Sequence, residues 1–196
     1  MFVWLNKDTY NLMKKTNKDL ENNFYEAEKL RDSRNFNKAI KLFLDILEKK
    51  PNFLPALNNI ANCYFQLNNL DLAEEYYLKC YKLDSSNLVL LNNLSILYLK
   101  LSNFKKSLKI LKESLNKNSN QEHVVEKIAY CLTELSLFDE VDKFCEKFIK
   151  IYPKNKIILS YYRRNLFKIG KYIDGLKAFE KETGVIELDN DKIKII

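Results

Sequence analysis

The stretch Asn37–Pro51, NKAIKLFLDILEKKP, establishes the repeat that organises this chain, because its residue classes return every 34 residues. Repetition at a fixed period of this size predicts stacked structural repeats. Positions that lie 34 residues apart form columns of the same residue class. The five strong columns are Ala39, Ala73, Ser107, Val141 and Gly175; Phe43, Tyr77, Leu111, Cys145 and Phe179; Leu30, Tyr64, Tyr98, Leu132 and Leu166; Ala27, Ala61, Ser95, Ala129 and Arg163; and Phe36, Leu70, Phe104, Phe138 and Tyr172. A sixth, weaker column begins at Pro51.

Each copy has the pattern of two amphipathic helices. Apolar residues recur at intervals of three or four, and short polar turns such as Leu67–Asn69 separate the two runs. The composition agrees, because 196 residues contain only 3 Gly and 3 Pro. A sheet-rich fold needs turn residues far more often. Neither GxGxxG nor GxxxxGK occurs, so the sequence excludes those phosphate-binding loops.

The repeat resembles the tetratricopeptide repeat. That family has a small residue and then Tyr or Leu in its first helix, an aromatic residue at the turn, and Ala, an aromatic and a small residue in its second helix. The copies run approximately over 20–53, 54–87, 88–121, 122–155 and 156–189. The resemblance implies an all-α, right-handed α-solenoid of about five helix-turn-helix repeats. Asn23 and Arg163 depart from the pattern, both in end copies, which are usually atypical.

The two ends carry their own expectations. Residues 1–19 should form a helical extension that runs into the first repeat, with Phe2–Leu5 folding back as a lid. Gly184 should end the last helix. The tail, 185–196, alternates in character and should form a short strand or hairpin. Because the usual final capping helix is missing, this end is a candidate contact for a partner, a further domain or a second copy of the chain.

The resemblance places the ligand-facing residues on the first helix of each copy, on the concave side of the solenoid. A row of Asn side chains there could pair with the backbone of an extended peptide, since Asn both donates and accepts. Apolar members could hold a partner's anchors. The alternative is that these Asn residues only reflect an Asn-rich composition. The predicted peptide-binding residues are Asn58, Asn59, Asn62, Phe65, Asn92, Asn93, Ile96, Leu99, Lys127, Tyr130, Tyr161 and Arg164.

One variant of the family holds the C-terminal carboxylate of an acidic chaperone tail with Lys, Asn and Arg side chains. The corresponding residues here include Asn62 and Asn93, which match, and Lys127, which matches in charge. Asn58 and His123 do not supply the cations that the clamp requires, and a neutral donor binds a carboxylate more weakly. The sequence therefore argues against a chaperone-tail clamp.

Catalytic, metal and cofactor sites have little support in the sequence. The four cysteines have no CxxC spacing and fall at packing positions, and His123 is the only histidine. We expect no enzyme activity, no metal and no cofactor, and an intracellular, cytoplasmic setting for the reduced thiols. No apolar run approaches the roughly 18 residues of a membrane span, so no membrane partner is expected.

The net charge of +7 permits binding to nucleic acid or acidic peptides, but an AT-rich coding bias would give the same Lys- and Asn-rich composition. We therefore expect a non-catalytic scaffold that binds a peptide segment of a protein partner in the concave groove. The alternative is an interaction module of, or beside, an enzyme of the glycosyltransferase or oxygenase type. Chaperone-tail binding and RNA binding are less favoured, and homo-oligomerisation through the C-terminal end stays open.

Overall fold

The computed structural model describes residues 7–189 and 192–195, and the surroundings of the side chains of residues 18–185 and 187. The predicted lid, Phe2–Leu5, lies outside this range. The all-α helical-repeat fold is confirmed, with a short hairpin after the last helix. The described helices are α1 Lys7–Asp32, α2 Phe36–Lys49, α3 Leu54–Gln66, α4 Leu70–Leu83, α5 Leu88–Lys100, α6 Phe104–Lys117, α7 Glu122–Glu134, α8 Phe138–Ile149, α9 Lys156–Lys168 and α10 Tyr172–Thr183.

Each repeat consists of two helices that follow one another along the chain. We call the first of each pair (α1, α3, α5, α7, α9) the A helix and the second the B helix. The chain divides into two compact units, Met1–Asn93 and Leu94–Ile196. In the first unit, α1 packs on α2, α2 on α3 and α3 on α4. In the second unit, α6 packs on α7, α7 on α8 and α9, α8 on α9, and α9 on α10.

Small residues permit close helix packing in both units. Ala27 and Ala61 in the first unit are fully buried, and so are Ser95 and Ala129 in the second. Large residues fill the remaining space: Phe24 meets Phe43 and Phe53 edge to face, with ring centroids 5.6 and 5.4 Å apart. Such aromatic pairs add to the stabilisation that burial provides. The recurring spacing of small and large residues along the chain therefore has a direct packing role.

The turn inside each repeat has the same backbone geometry five times over. A residue with positive φ recurs every 34 positions, at Arg34, Asn68, Ser102, Ser136 and Gly170, with φ between 53° and 80°. The next residue donates its N–H back to a carbonyl near the end of the A helix, as Asn103 does to Tyr98 at 2.8 Å. This is the left-handed helix ending that glycine adopts most easily. Only the last copy has glycine there.

The last helix, α10, ends as the sequence predicts, at Gly184, whose φ is +65° and whose N–H donates to Glu180 O at 2.8 Å. Two antiparallel strands follow, β1 Ile186–Asp189 and β2 Lys192–Ile195, and β1 contacts α10. Ile186 pairs with Ile195, and Asp189 pairs with Lys192. Within the described residues, every helix is too short or too polar to span a membrane.

Candidate functional site

In the first unit, the A helices bring three of the predicted Asn residues into contact. Asn93 Nδ2 donates to Asn58 Oδ1 and to Asn62 Oδ1, and both distances are 3.3 Å. All three side chains remain half-buried rather than enclosed. The amides of Asn58 and Asn62 in α3 and of Asn93 in α5 are therefore joined in a row that still reaches solvent. We call Asn58, Asn62 and Asn93 the amide row.

The amide row is anchored to the core through Tyr77 of α4. Tyr77 is only 2% exposed, and its hydroxyl donates to Asn62 Oδ1. Burial is the main cause that raises the pKa of Tyr77, so the hydroxyl stays protonated and can donate. A buried hydroxyl without a partner would be costly. Asn62 therefore has a structural role besides any contact with a ligand.

Asn59 has a different setting from its neighbours in sequence. It is 5% exposed, because Arg31 of α1 lies over it and donates to its Oδ1. Its Nδ2 lies 3.5 Å from Glu28 Oε1, which also accepts from Arg31. The spacing predicted Asn59 as a ligand-facing residue, and the structure places it beneath this ion pair. The other predicted residues of this unit, Phe65 and Asn92, are half-buried.

A polar cleft lies beside the amide row at the ends of α1 and α3. Its volume is about 300 Å³. It is lined by Arg31, Asp32, Arg34, Phe36, Asn62 and Gln66. Two guanidinium groups and two amides face a single carboxylate there, so the cleft offers more hydrogen-bond donors than acceptors. It suits a segment that presents carbonyl or carboxylate oxygens.

In the second unit, aromatic residues dominate the corresponding surface. Tyr130 of α7 contacts Phe104 edge to face at 5.7 Å and lies 6.2 Å from the ring of Tyr161 in α9. Both tyrosines are half-buried, so one side of each remains accessible. Leu99 packs against the core of this unit, and Ile96 is also half-buried. We call Tyr130 and Tyr161 the tyrosine pair.

Positive charge accompanies the tyrosine pair. Arg164 is exposed on α9. Lys127 is half-buried on α7, and burial lowers the pKa of its ammonium group, an effect that the nearby Glu126 opposes. Burial also raises the pKa of Tyr161, with Tyr130 as the second cause. A partly desolvated lysine gains more from an acidic partner than a fully hydrated one does.

The sequence analysis did not identify Asn155 and Gln121, whose side chains have structural roles. Asn155 Nδ2 donates to Glu122 and Glu126 of α7 at 2.7 and 2.6 Å, while its Oδ1 caps α9 by accepting from the N–H of Ile158 at 2.8 Å. Gln121, one repeat earlier, donates to carbonyls at the end of α6. An Asn directly before an apolar helical run is an N-cap pattern, so Asn155 could have been found.

The cysteines are buried and unsuited to nucleophilic chemistry. Burial raises the pKa of the Cys63 and Cys80 thiols to about 11 and that of Cys145 to about 12, and it raises the pKa of Cys131 as well. All four are free and enclosed. His123 is exposed on α7. In the part of the chain that the structure describes, no three His, Cys, Asp or Glu side chains are grouped closely enough to hold a metal ion.

Comparison with known proteins agrees with this architecture. Residues 53–118 match the tetratricopeptide repeat family, and no curated protein sequence matches the chain. A crystal structure of MamA protein is similar over 84% of this chain and 90% of that chain, with 18% identity and a TM-score of 0.76. YrrB, described as a TPR protein with an unusual peptide-binding site, is similar over 89% and 90%, with 16% identity and a TM-score of 0.75. At these identities the similarity shows the fold.

Proposed function

Since the chain is a tetratricopeptide-repeat protein, we propose that it is a non-catalytic scaffold that binds a peptide segment of a protein partner along its A helices. The family consists of protein-interaction repeats, and YrrB is described as peptide-binding. The observation that carries the proposal is the amide row, in which Asn93 Nδ2 holds Asn58 and Asn62 in fixed positions. A preorganised row loses little conformational freedom when a ligand binds.

The amide row supports binding to the backbone of an extended peptide. The bonds within the row leave Asn58 Nδ2 and Asn62 Nδ2 as donors and Asn93 Oδ1 as an acceptor for the carbonyl and N–H groups of such a peptide. Recognition through the backbone depends little on the peptide's sequence. In the second unit, the tyrosine pair and Arg164 supply the residue types that dominate binding energy at interfaces. These residues suit apolar and acidic side chains of a partner.

The test is selection of displayed random peptides on the full chain, followed by affinity measurement with fluorescence anisotropy. We expect the double variant Asn58→Ala with Asn93→Ala to bind the selected peptides about tenfold more weakly, since two lost hydrogen bonds contribute about 0.5–1.5 kcal/mol each. Asn37→Ala is the matched control, because Asn37 is an exposed Asn on the B helix α2. Asn59 is unsuitable for this test because it is buried.

Circular dichroism must show that the double variant keeps the helix content of the parent chain. Unchanged affinity in a folded double variant would overturn the proposal.

A pull-down from the source cell addresses the alternative function. Partners that share a short peptide motif support the scaffold, whereas a single stable enzyme complex supports the enzyme-side module.

A further inference from the structure

A second candidate binding surface lies in the second unit, on the B helix α6. It is a cleft of about 400 Å³ between α6 and the turn that joins α7 to α8. Leu108, Leu135 and Leu137 form its apolar lining, and Lys105, Lys109 and Lys112 line it as well. We call it the lysine cleft. It combines an apolar floor with a rim on which positive charge predominates.

The three lysines form a single stripe along α6. They are spaced four and three residues apart, so they lie on one face of the helix and span about 10 Å along its axis. Lys105, Lys109 and Lys112 are all exposed. The only described ion pair among them joins Lys112 to Glu140 at 3.1 Å. The rim therefore keeps a surplus of positive charge.

Leu137 is the residue that the repeat does not explain. Its counterparts in the three preceding copies are Asn35, Asn69 and Asn103, each at the N-cap of a B helix. Asn103 caps α6 by accepting from the N–H of Lys106 at 3.1 Å, whereas the side chains of Asn35 and Asn69 make no cap bond and Leu137 has no polar group to make one. Leucine is among the poorest N-cap residues. Leu137 is also 37% exposed, so burial in the core does not explain a leucine at this position.

We propose that the lysine cleft is a docking site for an acidic amphipathic helix of a protein partner. A helix that lays its apolar face into a groove is a recurring mode of recognition. Apolar side chains of such a helix would fill the space between Leu108 and Leu137. Its Asp and Glu residues would flank that face and meet Lys105 and Lys109. An apolar residue at an N-cap, unfavourable for folding, then has a reason in binding.

The same chemistry argues against the other anionic partners. Nucleic acid binds mainly through its phosphates, which would gain nothing from a concave floor of three leucines. The carboxylate of Glu140 at the rim would repel phosphates, but it can be accommodated by a partner whose charges are spaced along a helix. A lipid surface is broad and suits a protruding face rather than a cleft. The lysine cleft therefore favours a protein segment.

The proposal is tested by selecting a library of displayed random peptides, each long enough to form about three to four helical turns, for binding to the full chain. We expect enrichment of sequences with apolar residues at intervals of three and four flanked by Asp and Glu. For the enriched peptides, Lys105→Glu with Lys109→Glu should weaken binding at least about tenfold in fluorescence anisotropy. The charge-matched control is Lys38→Glu with Lys41→Glu, two exposed lysines of the B helix α2, and it should leave the affinity unchanged.

Leu137→Asn separates binding from folding. It restores the residue that the preceding copies carry at this N-cap, so the thermal midpoint should stay or rise while the peptide affinity falls at least about fivefold. Absence of acidic amphipathic peptides from the selection, or equal affinity in the lysine or leucine variants, would overturn the proposal. Anionic vesicles or poly(U) RNA that bind the parent chain and Leu137→Asn equally would also overturn it. The amide-row variants should bind these peptides normally, so the two proposals fail independently.

Discussion

Arg163 of α9 donates its Nε–H to Glu182 Oε2 of α10 at 2.7 Å, and its guanidinium lies 5.1 Å from the centre of the Phe179 ring. The preceding copies have a small, fully buried residue at the position of Arg163. There the small residue permits close packing. In the last copy the long side chain instead joins the two helices of its own repeat. Arg163, which departs from the small-residue pattern, therefore links the two helices of the last repeat through an ion pair.

Arg163→Ala should lower the free energy of unfolding by about 1–3 kcal/mol. The substitution removes a charge-assisted hydrogen bond and leaves Glu182, whose side chain is 15% exposed, without its partner. Urea unfolding measures the change. A double-mutant cycle with Glu182→Gln isolates the pair, since the second substitution should cost much less once Arg163 is gone. Additive losses would mean that the two residues act separately.

Ser102→Gly and Ser136→Gly should each stabilise the chain by about 0.5–1 kcal/mol. Both serines have positive φ, 53° and 55°, which disfavours residues with a side chain. Glycine removes that cost, although its greater freedom in the unfolded chain offsets part of the gain. Ser119 lies in another turn without positive φ, so Ser119→Gly should give no stabilisation. Thermal midpoints that rise equally in all three variants would contradict this explanation.

Asn62→Ala should destabilise the first unit more than Tyr77→Phe does. The first change leaves the buried hydroxyl of Tyr77 without its acceptor, at a cost of about 1–3 kcal/mol. The second change removes the hydroxyl together with its need for a partner. The double variant should therefore recover part of the stability that Asn62→Ala loses. Urea midpoints of the parent chain, the two single variants and the double variant measure the coupling. A double variant that loses as much stability as the two single changes added together, or more, would be inconsistent with the bond.

Stability should fall as the pH rises above about 9. Burial holds the pKa of Cys63 and Cys80 at about 11 and that of Cys145 at about 12, whereas an unfolded thiol titrates near 8.5. Between these values the unfolded chain releases protons that the folded chain retains, so deprotonation favours unfolding. The contribution is fully present below pH 8.5 and is lost as the pH approaches 11–12.

Urea midpoints between pH 8 and 10.5 test this dependence. The triple variant Cys63→Ala, Cys80→Ala and Cys145→Ala should begin less stable at pH 8, because it loses buried volume. Its stability should then decline less steeply with pH than that of the parent chain. Equal slopes would assign the alkaline loss to other groups.

The periodic pattern was sufficient to predict the helical-repeat fold. Amphipathic spacing is a local property, and the return of Ala, Phe and Leu classes every 34 residues indicated which helices must pack together. The polar turns were also predictable, since Asn68 and Ser102 follow the apolar runs directly. Their shared left-handed geometry was not, because a glycine column would have signalled it and only Gly170 fulfils that pattern.

The candidate site was less accessible to sequence analysis. Asn58 and Asn59 are neighbours in sequence and both lay in the predicted strip, yet one reaches solvent and the other is covered by Arg31 from a different helix. The pairing of Asn93 with Asn58 and Asn62 joins residues 35 and 31 positions apart. Such contacts depend on side-chain direction and on which helix lies next, and a residue spacing specifies neither.

By itself, the sequence determined the helices and their pairing within repeats, because both follow from residue classes recurring at short and regular distances. Tertiary structure decided which of those residues are accessible. It placed Arg31 over Asn59, fixed Asn62 to Tyr77 and brought Leu137 beside the lysines of α6. The physical reason is that exposure and electrostatic environment are properties of the space around a side chain. Residues distant in the sequence fill that space.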